Sequence, residues 1–216
     1  FVALTDFGPD LPGILTAFPS RDVTNSLVQV LCPKKQLYLA ESEKFAHITY
    51  FLNGGYAQHF CDESWVKISS PEVKNYATKP EMSARQLADY AIGAIESQKY
   101  DFIAMNFANM DMVGHTGNFA AAQKAVAAVD TAIARIVKTL VKYNGQAVVT
   151  ADHGNIEIMI NPETGEPDTE HSTTPVPCIL INSSVKTPRK LPDGILANVA
   201  PTILKLMGIK KPDRKS

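Results

Sequence analysis

The stretch Phe102-Ile103-Ala104-Met105-Asn106-Phe107-Ala108-Asn109-Met110-Asp111-Met112-Val113-Gly114-His115-Thr116-Gly117 decides how this chain is read. Its first half, Asp101 to Phe107, is a short apolar run of the kind that forms a buried strand. Its second half turns abruptly to polar and glycine-bearing sequence. Two helical patterns flank it. Before it, Ser83 to Ser97 carries Leu87, Ala88, Ala91, Ile92 and Ile95 on one face, with Ser83 placed as the N-cap. After it, Phe119 to Tyr143 repeats Ala125, Val126, Val129, Ile133, Ile136, Val137 and Leu140 at helical spacing and stops at Asn144-Gly145.

The alternation continues outward. Gln146 to Ala151 and Val176 to Ile181 read as strands, and Asn198 to Met207 as a helix closed by Gly208. Toward the amino end, Leu27 to Leu31 suggests a short amphipathic helix ending before Pro33, Gln36 to Ala40 a strand, and Glu43 to Leu52 a helix ending at Asn53-Gly54-Gly55. The first 24 residues, rich in Pro, Gly and Asp, read as irregular. Strands alternating with helices of ten or more residues predict an α/β fold, a mostly parallel sheet flanked by helices on both faces. In such sheets ligands gather at the carboxyl ends of the strands.

Candidate functional residues fall at those ends. Asp111 and His115 are four apart, which in a helical turn puts both on one face; in a glycine-bearing loop they can also converge. A carboxylate and an imidazole so placed suit a divalent ion. After the next strand comes Ala151-Asp152-His153-Gly154-Asn155. Adjacent side chains on a strand point oppositely, so Asp152 and His153 serve one ion only if the chain turns at Gly154, and otherwise two neighbouring ions. His171 lies in Glu170-His171-Ser172-Thr173-Thr174-Pro175-Val176-Pro177, whose prolines fix the chain direction before a strand. The other histidines carry blander expectations: His59 an exposed loop residue, His47 a packing residue in a helix.

Composition excludes several classes. Of 216 residues, 45% are hydrophobic and 20% charged, a balance that supplies a sizeable core. A net charge of -1 gives no basic excess for nucleic acid. No apolar run is long enough for a membrane span, and Phe1 to Thr5 resembles neither a signal peptide nor an initiator. The three cysteines, Cys32, Cys61 and Cys178, are odd in number and lack C-x-x-C spacing, which predicts free thiols in a reducing, cytoplasmic setting.

At its motif-bearing residues the chain resembles the alkaline phosphatase superfamily, and within it the cofactor-independent phosphoglycerate mutases. The blocks are Ala40 to His47 with Phe51-Leu52-Asn53-Gly54-Gly55, Asn106 to Gly117, Thr150 to Asn155, and His171-Ser172-Thr173 with Pro175-Val176-Pro177. The first block separates these mutases from sulfatases and generic phosphatases. The resemblance implies two manganese ions, with zinc or cobalt as substitutes. Asp111, His115 and His171 would hold one ion, and Asp152 and His153 part of the other. Lys44 matches a lysine beside the nucleophile and the transferred phosphoryl group. The implied reaction interconverts 3-phosphoglycerate and 2-phosphoglycerate, in glycolysis and gluconeogenesis, through a phosphoserine.

The sequence departs from the family in two ways. Met110 stands where many members have Pro. The Asn-Ser-Glu-x-Gly-His motif of the nucleophile and an Asp-Gly metal motif are absent from these 216 residues. Residues 1–216 are therefore expected to be the C-terminal portion of the metal-binding phosphatase domain, incomplete and inactive alone. The N-terminal segment and the inserted phosphotransferase domain would come from the remainder of the same polypeptide, the complete enzyme being a monomer. The alternatives are another phosphomutase or phosphomonoesterase of the superfamily, or a non-catalytic metal-binding fragment.

Overall fold

The computed structural model describes residues 2–4, 13–18, 23–185 and 187–213. The central sheet consists of β3 (Gln36–Glu41), β4 (Ser64–Ile68) and β5 (Phe102–Asn106), ordered β4-β3-β5 and parallel throughout. Two short strands precede it, β1 (Val2–Ala3) and β2 (Leu15–Thr16), where the sequence suggested irregular chain. Much of that amino-terminal region lies outside the described residues. The strand β4 is missing from the sequence reading. Its apolar alternation is short and carries Lys67, so it gains strand character only by pairing with β3.

The face of a residue in β3 follows from the two-residue repeat. Leu39 points to one side with Val66 and Met105, and there it meets Leu87 and Ala91 of the helix α2 (Ala84–Glu96). Tyr38 points to the other side. On that face Gln36 donates to the backbone oxygen of Val28 in the helix α1 (Leu27–Val30). Phe45, in the turn after β3, packs edge-on against Trp65 there. Helices therefore cover both faces, and β3 is buried at every position. Ser83 does stand at the N-cap of α2, but its hydroxyl donates to the Ser69 carbonyl instead of capping the helix. The predicted Glu43–Leu52 helix is irregular: a 3-10 turn at Ser42–Lys44, then a π-type segment at His47–Phe51.

After β5 comes a short helix α3 (Asn109–Gly114), then the long α4 (Phe119–Lys142), whose N-cap Asn118 accepts from the Ala121 N–H. The residues that bury α4 most deeply are small: Ala121, Ala122, Ala125, Val129 and Ala132. Their size lets α4 approach α3 closely, with Val113 and Met159 filling the joint. Val126, expected on the buried face, is 42% exposed. The strands β6 (Gln146–Thr150) and β7 (Cys178–Asn182) form a separate antiparallel pair, and a final helix α5 (Val199–Leu206) follows. The predicted strand Val176–Ile181 thus begins two residues later, after Pro177, which cannot donate to a ladder. Among the described residues no strand pairs with the outer edge of β5.

The cysteine reading is corrected. Cys32 and Cys61 form a disulfide with their Cα atoms 5.5 Å apart, and Cys178 is free. Cys32 follows α1 and Cys61 precedes β4, and only the parallel pairing of β3 with β4 brings these entries together. No helix among the described residues is long and apolar enough to cross a membrane.

Candidate metal centre

The carboxyl ends of the strands carry the site. Two residues separate β5 from α3, and the i, i+4 geometry of the helical turn sets Asp111 and His115 on one face. The loop after β6 brings Asp152 to Asn155, and the segment before β7 brings His171. A bridge between Gly154 and Ser172 ties these two loops together.

Three donor atoms converge. Asp111 Oδ1, His115 Nε2 and His171 Nε2 stand 3.1 Å from one another on every edge of a triangle. Ligands about 2.1 Å from one ion lie about 3.0 Å apart at right angles and about 3.4 Å apart at tetrahedral angles, so these edges fit three donors on one divalent ion. The tautomer of His115 agrees. Its Nδ1–H donates to the Thr169 carbonyl at 2.6 Å, which makes Nε2 the nitrogen that faces the triangle. The donor set, one carboxylate oxygen and two imidazoles, suits manganese, zinc or cobalt alike.

Asp111 is the anchor. Its side chain is 15% exposed, against 39% for His115 and 48% for His171. Burial works against its charge, but the Lys44 ammonium, the Asn155 amide and His115 outweigh that and bring its carboxyl down to about 2. Lys44 Nζ makes a close ion pair with Asp111 Oδ2, the oxygen that does not face the histidines. Lys44 is nearly buried, so the block at Ala40 to His47 delivers its cation directly onto the candidate centre. Neighbouring Glu43 accepts from the Tyr76 hydroxyl at 2.6 Å. Burial and that carboxylate raise the Tyr76 phenol to about 12.

Asp152 and His153 diverge in role. The His153 ring stacks on His171 at 3.8 Å, and one of its nitrogens lies within 4.8 Å of donors from both Asp111 and His171. Asp152 is 55% exposed and pairs with His153 at 3.5 Å. The tighter triangle uses His115; His153 borders it on the open side.

Three participants escaped the sequence reading. Asn155 Nδ2 donates to Asp111 Oδ1 at 2.9 Å and stands 3.5 Å from His115 Nε2. A side chain on Gly114 would collide with that amide, so glycine is needed for space there. Glu157 accepts from the Asn155 N–H at 2.8 Å and from the Ser172 hydroxyl. His47, expected as a packing residue, is exposed and edges onto Phe51. Partial desolvation of its ring and the Lys44 charge lower its imidazole pKa, while Asp152 and Asp111 pull the other way, so it lies within the field of the site. His59 is exposed as expected, its ring stacked on Trp65 at 4.0 Å. The i, i+3 spacing of Lys44 and His47 was the available signal.

Together these features define a class: an α/β chain with a histidine–carboxylate cluster at the carboxyl ends of its strands. The sequence profile of the Metalloenzyme superfamily matches residues 15–211, and the chain belongs to that family. It is 51% identical over 215 residues to a 2,3-bisphosphoglycerate-independent phosphoglycerate mutase of Methanosarcina barkeri, covering 98% of this chain and 40% of that protein. A mutase of the same name from Clostridioides difficile is 44% identical, with 99% and 42% covered. Among solved structures, a Leishmania mexicana phosphoglycerate mutase at low cobalt concentration superposes with a TM-score of 0.89 at 30% identity, covering all of this chain and 43% of that one. The chain thus spans about 40% of the length of the curated relatives it matches.

Proposed function

We propose that this chain is the C-terminal, metal-binding portion of the phosphatase domain of a cofactor-independent phosphoglycerate mutase. The observation that carries the reading is the 3.1 Å triangle of Asp111 Oδ1, His115 Nε2 and His171 Nε2. These residues would hold one divalent ion, manganese by preference, while Asp152 and His153 contribute to a second completed by the remainder of the polypeptide. Bound there, an ion supplies Lewis-acid stabilisation of phosphoryl oxygens and lowers the pKa of an attacking hydroxyl.

The chain's own residues orient that chemistry. Asp111 fixes the centre, with Lys44 neutralising its outer oxygen. The Lys44 ammonium would also lie within reach of the phosphoryl oxygens of 3-phosphoglycerate or 2-phosphoglycerate bound at the centre. Thr169 holds Nδ1 of His115, so that Nε2 is the nitrogen turned to the centre. The exposed rims of His115 and His171 leave the open side to substrate.

Among the described residues the outer edge of β5 is unpaired and β6 and β7 form a separate pair, which supports an incomplete sheet that the rest of the same polypeptide would extend. That remainder would also supply the nucleophilic serine and the phosphotransferase domain, in a monomeric enzyme of glycolysis and gluconeogenesis. Glycolytic chemistry would put the complete enzyme in the cytoplasm.

The test is equilibrium dialysis of the chain against Mn2+, Zn2+ and Co2+, paired with a coupled 3-phosphoglycerate assay. The chain should bind metal, lose it on His171→Ala and show no turnover. The complete polypeptide should turn over, and a chelator should abolish this. Wild-type-like metal binding by His171→Ala would sink the assignment.

A further inference from the structure

The two loops that bring donors from β6 and β7 are joined through Glu157, a side chain with no part in the roles above. One of its oxygens, Oε2, accepts the Asn155 backbone N–H at 2.8 Å. The other, Oε1, accepts the Ser172 hydroxyl. Ser172 Oγ in turn accepts the Thr174 N–H at 3.2 Å, and the Ser172 N–H donates to the Gly154 carbonyl at 2.9 Å. From this hub one arm runs through Asn155, whose amide touches Asp111 and borders His115. The other runs through Ser172 to His171, its chain neighbour. A Cβ on Gly154 would strike both Glu157 Oε1 and Ser172 Oγ, so the loops close this tightly only over a glycine.

We propose that Glu157 is a positioning residue of the metal centre: it clamps the Asn155 and His171 loops in the register that closes the Asp111–His115–His171 triangle. The inference rests on the metal reading of that triangle. A carboxylate suits the task because both oxygens accept, and its charge strengthens both bonds. Glutamine offers one accepting oxygen and one donating amide. The Asn155 N–H can keep the oxygen, while the Ser172 hydroxyl rotates to accept from the amide. Alanine removes both bonds.

Glu157 is exposed and belongs to none of the apolar clusters, so its loss should leave the metal-free fold standing. The test is Co2+ titration of the 216-residue chain, followed by visible absorption and calorimetry, with metal-free melting measured in parallel. Glu157→Ala should weaken Co2+ binding roughly 10- to 100-fold and alter the cobalt absorption bands, with the metal-free melting temperature nearly unchanged. Glu157→Gln should recover most of the affinity. Gly154→Ala, which keeps Glu157 but forces the clamp apart, should weaken binding in the same direction. Wild-type affinity in Glu157→Ala, beside a clear loss in His171→Ala, would overturn the clamp and leave the metal reading intact. If the wild-type chain binds no Co2+, or His171→Ala binds as wild type does, the metal reading falls and takes the clamp with it. A fall in metal-free melting that matches the affinity loss in both Glu157→Ala and Glu157→Gln would mean a merely structural residue.

Discussion

Replacing Lys44 by Met removes the cation that holds Asp111 charged in a nearly closed site. The Asp111 carboxyl moves from an ordinary 3.8 to about 2 in the folded chain. At about 1.36 kcal/mol per pH unit that displacement corresponds to about 2.4 kcal/mol. Asn155 and His115 share in it, so the part that depends on Lys44 is about 2 kcal/mol, little screened because the two side chains are 9% and 15% exposed. The sign follows from linkage. The folded carboxyl titrates below the unfolded one, so its contribution is complete above the ordinary aspartate range and vanishes as pH falls through about 2. Urea unfolding in chelator at pH 7 should therefore show Lys44→Met about 2 kcal/mol less stable than wild type, and at pH 3 the deficit should fall to about half. Saturating Mn2+ should shrink the pH 7 deficit further, because a bound ion supplies the missing positive charge. An equal deficit at pH 7 and pH 3, or none at either, would refute the electrostatic account and leave Lys44 as a packing side chain.

Three other outcomes follow from the fold. Glu41 is fully buried at the end of β3, and burial raises its carboxyl above the ordinary glutamate range despite the opposing Ser70 and Ser83 groups. An acid raised on folding contributes stability below its unfolded pKa and loses it as pH rises through the folded one. Glu41→Gln should thus overtake wild type in urea midpoint between pH 4.5 and pH 8, and a constant difference across that range would argue against it. The Cys32–Cys61 bond spans 29 residues, a loop whose closure stabilises by about 3.6 kcal/mol on chain entropy alone. Reductant should lower the melting temperature of wild type and leave Cys32→Ser unmoved. Leu87, sealed between α2 and the sheet, should cost about 2–5 kcal/mol as Leu87→Ala, read from the denaturation midpoint.

Much of the architecture was legible because burial leaves a period in the sequence. Leu87, Ala88 and Ala91 marked the inner face of α2 by spacing alone, and the apolar runs at 102–106 and 146–150 marked β5 and β6. Asp111, His115, Asp152 and His153 stood out because they follow strands, where an α/β sheet opens its site, and His171 because it sits in a polar loop just before one. The strand β4 and the irregular turns after β3 left no such mark, since pairing with a neighbour gives them their conformation.

What the sequence determined by itself was therefore local: which segments are helix or strand, which side of each is apolar, and where polar residues interrupt that pattern. Only the tertiary structure decided which distant residues meet. It closed Asp111 and His171, 60 residues apart, to 3.1 Å, turned the Asn155 amide onto Asp111, joined Asn155 and Ser172 through Glu157, and bonded Cys32 to Cys61. The physical reason is that hydrophobic burial is read one residue at a time along the chain. A convergence of polar atoms depends instead on strand order, loop register and the space left by Gly114 and Gly154, none of which has a period.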